Sequence, residues 1–67
     1  MRDRVKDLRE DHDLTQQKLA DALGITQRKY SYIETGTQPL TAELLVKLAG
    51  FYGVTTDYIL CLTDDPN

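Results

Sequence analysis

The sequence predicts an all-α fold, a compact bundle of five short helices in one domain over residues 1–67. Three observations carry this. Threonines stand where helices should start, glycines stand where they should stop, and the apolar residues between recur three or four apart. No segment reads as a strand, a repeat or a low-complexity run.

The first helix is expected from about Arg2 to His12, with Val5 and Leu8 as its apolar contacts among charges of both signs. Asp13 should end it, because a short Asx side chain tolerates the left-handed conformation of a C-terminal cap. Thr15 is the N-cap of a second helix, about 16–23, which carries Leu19, Ala20 and Leu23 on one face and stops at Gly24. Thr26 caps a third, about 27–35, closed by Gly36. Thr41 caps a fourth, with Leu44, Leu45, Leu48 and Ala49 ahead of Gly53. Thr55 or Thr56 starts a fifth, containing Tyr58, Ile59 and Leu62, and residues 64–67 read as a polar frayed end.

Bulk properties exclude several classes. A chain of 67 residues buries only about 60% of its unfolded surface, so its stability is expected to be marginal. Hydrophobic residues at 40% and charged residues at 28% describe a globular chain rather than a disordered one. No apolar run nears the roughly 20 residues of a membrane span, and no signal-peptide core follows Met1. One cysteine and one histidine offer neither an internal disulfide nor a structural zinc site. The expectation is a cytoplasmic domain without membrane, metal or cofactor. Catalysis is set aside as well: there is no nucleophile beside a base, no carboxylate pair with a pocket and no phosphate-cradling glycine loop.

The second and third helices are joined by Gly24-Ile25-Thr26 alone. So short a joint forces a steep crossing, which is the spacing of a helix-turn-helix. Ala20 allows the close approach, and Ile25 plugs the core between the two helices. At about 100° per residue, Tyr30 and Ile33 fall together on the inner face of the third helix. The outer face then carries Arg28, Ser31, Tyr32 and Thr35, flanked by Gln27 and Lys29. These are not the Glu–Lys pairs of an ordinary solvated face. Gln bonds adenine bidentately, Arg bonds guanine, and an aromatic touches a thymine methyl. Lys29 and the amides at the starts of both helices suit phosphates.

The runs Leu14-Thr15-Gln16-Gln17-Lys18-Leu19-Ala20, Leu23-Gly24-Ile25-Thr26-Gln27 and Ile33-Glu34-Thr35-Gly36 resemble the Cro/repressor (XRE-type) helix-turn-helix family. So do Leu45-Val46-Lys47-Leu48-Ala49 and residues 53–60, and the resemblance covers essentially the whole chain. It implies a lambda-repressor-like fold and a transcriptional regulator, a repressor, that binds double-stranded DNA as a homodimer on a palindromic operator. Gln27, Arg28 and Tyr32 match base-reading positions, with Ser31 beside them. Gln16, Thr26 and Lys29 match backbone-contacting positions, with Gln17 beside Gln16. Gln16 would also brace Gln27. Arg9 and Glu34 match a buried ion pair tying the first helix to the third. Three departures stand out: Asp13 replaces a common glycine, Pro39 comes one residue early, and Cys61 replaces a frequent glycine, so that the last helix is expected to run on.

The apolar residues Phe51, Tyr58, Leu60, Cys61 and Leu62 exceed what so small a core can bury and are the expected dimer surface. Plainer readings attach to some residues: Tyr32 could lie across a neighbouring side chain, and Cys61 could be a small apolar filler. His12 reads as a cation closing the first helix. Arg2, Arg4, Lys6 and Arg9, interleaved with acids, read as a solvated face, Arg2 being a candidate for a phosphate contact. The charge balance opposes DNA binding, with a net −3 and an isoelectric point near 4.8. Its distribution helps: over residues 16–31, three bases against one acid leave +2, while the last eleven residues hold three aspartates and no base. The alternative is a protein-interaction module (antitoxin, antirepressor or adaptor) docking a protein partner through the apolar C-terminal helix. A bacterial or phage-encoded, nucleoid-associated protein fits the first reading, as does a domain of a longer one.

Overall fold

The computed structural model describes residues 3–67, so the expected role of Arg2 lies outside the described residues. Five helices follow in order: α1 (Val5–Asp11), α2 (Gln16–Leu23), α3 (Gln27–Thr35), α4 (Ala42–Tyr52) and α5 (Thr56–Ile59). Among the described residues there is no strand. Four of the five starts have the same local cause. The hydroxyls of Thr15, Thr26, Thr41 and Thr55 accept from the amides of Lys18, Lys29, Leu44 and Tyr58, each satisfying one donor the helix cannot. Gly24, Gly36 and Gly53 stop α2, α3 and α4 at positive φ. Asp13 at φ 55 ends α1 in the same way, as its short side chain allows.

Ten apolar side chains, from Val5 on α1 to Ile59 on α5, form one buried cluster. Tyr30, Leu19 and Ile59 are 0% exposed and Leu48 is 1% exposed. Full burial of an aliphatic side chain contributes about 1.5–3 kcal/mol, so few such residues carry most of the stability of so short a chain. Ala20, also 0% exposed, lets α3 approach α2, and Ile25 packs on the cluster's edge. His12 caps α1 through Nδ1, 2.8 Å from the Leu8 carbonyl, with its ring 4.8 Å from that of Tyr52.

The two ends of the chain depart from expectation. Helix α1 starts at Val5, where the Asp3 carboxylate accepts from the Val5 amide at 3.0 Å. Arg4 is no part of a solvated face. Its backbone amide donates to Ile59 O at 2.8 Å. Its guanidinium donates to the carbonyls of Tyr58 and Thr63, pairs with Asp64 at 2.9 Å and lies 4.2 Å over the Tyr58 ring. Helix α5 is one turn and stops at Ile59, so Leu62 lies beyond it. Cys61 does not prolong the helix. It takes φ 61 itself, the conformation a glycine would supply, and the Leu62 amide turns back to the Asp57 carbonyl at 2.9 Å. The last residues are tied down rather than frayed: the Thr55 amide donates to Pro66 O at 3.0 Å.

Candidate nucleic-acid interface

The site is built on the inner side of α3. Arg9 on α1 donates from Nε to Glu34 Oε2 at 2.6 Å and from Nη2 to Oε1 at 3.2 Å. Its Nη1 donates to the Leu14 carbonyl at 2.9 Å. One guanidinium thus joins α1, the connector before α2, and α3. Side-chain exposure is 16% for Arg9 and 3% for Glu34, so both charges are largely desolvated and each needs the other. Burial alone would push the Glu34 carboxyl up. The Arg9 bond, with smaller help from the Tyr30 hydroxyl and the Gln16 amide, more than reverses this and holds it below the usual range. Arg9 is correspondingly raised, first by its bond to Glu34. Burial, then the adjacent carboxylate, pushes the Tyr30 phenol far up. The Tyr52 hydroxyl is buried without a hydrogen-bond partner, and that of Tyr30 is buried facing the Glu34 carboxylate without closing a geometrically sound bond to it.

With that face locked, the other face of α3 meets solvent. Gln27, Arg28 and Lys29 are exposed, as is Thr26 at the cap, while Ser31 and Tyr32 are half-buried. Thr26, Arg28, Lys29, Tyr32 and Gln38 line an open depression of about 310 Å³. Gln38 was not expected there. Its amide donates to the Tyr32 carbonyl at 3.1 Å, which folds the loop after α3 onto the helix. Only the position of an amide side chain just past a helix-closing glycine hinted at it. No carboxylate lines the depression, so it is locally basic on an acidic protein.

Side-chain pairing on α2 and α3 differs from expectation at Gln16, and at Tyr32 it takes the plainer of the two expected forms. Gln16 is half-buried and donates from Nε2 to Glu34 Oε1 at 3.5 Å, so its brace is the buried carboxylate rather than Gln27. Arg9 Nη2 donates to the same oxygen at 3.2 Å. Tyr32 turns along α3 and accepts from Arg28 Nε at 2.9 Å. Gln17 is exposed and donates to Asp21 at 2.8 Å, which shields one of the few acids of this region.

The expected dimer residues are scattered in exposure. Phe51 and Leu62 are 45% and 71% exposed, while Tyr58, Leu60 and Cys61 are half-buried. Tyr58 is partly covered by Arg4. Val46, 63% exposed on α4, was missed, because it falls inside an apolar stretch that reads as core throughout.

A helix-turn-helix family model matches residues 5–59, from the start of α1 to the end of α5. The chain belongs to the helix-turn-helix family of transcriptional regulators. Among its family relatives, it is 42% identical over 64 residues to the uncharacterized HTH-type transcriptional regulator YobD of Bacillus subtilis, covering 96% of this chain and 57% of that one. It is 41% identical over 51 residues to the cryptic phage CTXphi transcriptional repressor RstR of Vibrio cholerae, covering 76% and 46%. An HTH-type regulator of Methanocaldococcus jannaschii, MJ0272, is 35% identical over 65 residues, covering 97% and 98%. The chain therefore spans about half the length of those two bacterial relatives and nearly all of the archaeal one. No solved structure matches it significantly. Among the described residues, no helix of this family member is long and apolar enough to cross a membrane.

Proposed function

We propose that this helix-turn-helix protein is a sequence-specific DNA-binding repressor that reads a palindromic operator as a homodimer. The observation that carries the reading is the two-sided character of α3. Its inner face is clamped through Glu34, while Gln27, Arg28 and Lys29 stand exposed and the last two line a depression without acids. In the major groove, Gln27 and Arg28 read base edges, with Ser31 and Tyr32 at the margin. Thr26, Lys29, Gln17 and Gln16 meet phosphates, aided by the unpaired first amides of α2 and α3. Phe51 and Leu62, with Tyr58, Leu60 and Cys61, form the dimer surface, which sets two α3 helices roughly 34 Å apart, one turn of DNA. The name of the phage relative supports the repressor sense.

Selection from a random duplex pool at near-physiological salt tests this. The wild type should enrich a two-fold symmetric site. Arg28→Ala should cost about 1–3 kcal/mol and relax preference at one base pair of each half-site. Lys29→Ala should instead weaken all sequences alike and flatten the salt slope by about one. Enrichment of no sequence would favour the second reading, a protein-interaction module. The exposed Val46, Phe51 and Leu62 and the net charge of −3 fit that reading.

A further inference from the structure

The depression on the outer face of α3 holds one side-chain pair whose geometry is more specific than its exposure. Arg28 and Tyr32 are four apart on α3 and so lie on one face. Arg28 donates from Nε to the Tyr32 hydroxyl at 2.9 Å, and its Cζ lies 5.7 Å from the ring centroid. That separation is near the outer limit of a cation–π contact, so the ring adds a non-directional hold and the hydrogen bond sets the direction. We infer that Tyr32 is a positioning residue for Arg28, its hydroxyl taking Nε so that the two terminal nitrogens are presented together as a fork to a guanine. This rests on the base-reading function proposed above and moves Tyr32 from contacting DNA to aiming the residue that does.

Several observations converge on it. A guanidinium has five N–H donors in one plane, and using the one on Nε leaves the terminal edge whole, which is the edge that can span O6 and N7 of guanine. Tyr32 is the fixed member of the pair. Its ring is half-buried, and its carbonyl accepts both from the Gln38 amide at 3.1 Å and from Thr35 Oγ1 at 3.2 Å. It also has only two side-chain torsions to order, against the longer chain of arginine. The partner is a neutral hydroxyl. Among the described residues Arg28 makes no ion pair, whereas Arg4, Arg9 and Lys47 each have a carboxylate. Arg28 is thus restrained without being neutralised, and no acid has to be displaced before it meets DNA.

The test is the same pool selection, run with the wild type, Tyr32→Phe, Arg28→Ala and the double variant. Phenylalanine keeps the ring and removes only the acceptor, so melting temperature and helix content should be unchanged. Preference for guanine at the Arg28-read position should fall by about three- to tenfold, the usual worth of one hydrogen bond. Adding Tyr32→Phe to Arg28→Ala should change the selected site by less than about twofold, because a positioning residue has nothing left to position. Full guanine preference in Tyr32→Phe would overturn the inference. So would an undiminished effect of Tyr32→Phe in the Arg28→Ala background, which would make Tyr32 a direct contact. A wild type that enriches no site removes the base-reading premise itself, and the inference with it, before any variant is compared.

Discussion

Two regions of this molecule each combine an anchoring arginine with a residue in the left-handed conformation, yet they differ in kind. Behind the α2–α3 joint, Arg9 is nearly buried against a Glu34 that is 3% exposed, and the left-handed residue is Gly24 at φ 72. At the C-terminal end, Arg4 reaches two carbonyls and an Asp64 that is fully in solvent, and the left-handed residue is Cys61 at φ 61. The first closure desolvates a charge on each side, so neither partner can be lost cheaply. The second relies on groups water could replace and carries backbone strain besides. The contrast separates the part of the fold that aims α3 from the part that presents the apolar residues Phe51 and Leu62.

The sharpest way to break the contrast is to unpair Glu34. Arg9→Ala should cost about 3–5 kcal/mol in urea unfolding, enough to unfold much of a domain this small at 25 °C. Arg4→Ala, losing hydrogen bonds at a half-exposed site, should cost only about 1–2 kcal/mol. Equal losses in the two variants would erase the distinction. Next in size come the left-handed positions. Gly24→Ala meets no atom within 4 Å, so only the backbone objects, at about 1–2 kcal/mol. Cys61→Gly runs the other way and should stabilise by about 0.5–1 kcal/mol, read as a raised melting temperature.

Titration gives the most graded readout. The carboxyl of Glu34 is held low, so its contribution is present above the ordinary glutamate range and is lost as pH falls through that range and below. Acid should therefore loosen α3 from α1, and Arg9→Ala should lose this acid sensitivity. At the alkaline end, burial pushes Tyr52 up to about 12 from an ordinary value near 10. Its contribution is complete below pH 10 and disappears as pH rises toward 12. Urea midpoints across both ranges check the signs.

Features whose partners lie close in sequence were legible in advance. The four threonine caps bond three residues ahead, and Gly24, Gly36, Gly53 and Asp13 act on their own backbone. The helical period alone placed Tyr30 and Ile33 inward. Apart from the Arg9–Glu34 pair, which the family resemblance supplied, the illegible features are those completed from far away. Arg4 looked like one more surface cation because its partners lie 54 to 60 residues on. Cys61 suggested a longer helix, since no local rule says that a cysteine will adopt a glycine's conformation when the tail is held on the far side. For the candidate site, periodicity gave the outward row of α3. It left open whether Tyr32 would lie across a neighbour, as it does on Arg28, and did not foresee that the loop would bring Gln38 into the depression.

The far reach of Arg4 also bears on the order of folding. Closing a loop of more than 50 residues costs entropy that the caps and the α2–α3 joint do not have to meet. The Arg4 clasp should therefore be absent from the folding transition state and form on the downhill side of it. In stopped-flow kinetics, Arg4→Ala should then leave the refolding arm of the chevron almost unmoved and raise the unfolding rate by roughly five- to thirtyfold, its whole equilibrium effect. On this account the clasp governs how long a folded molecule lasts and leaves the speed of its formation to the helices around the α2–α3 joint.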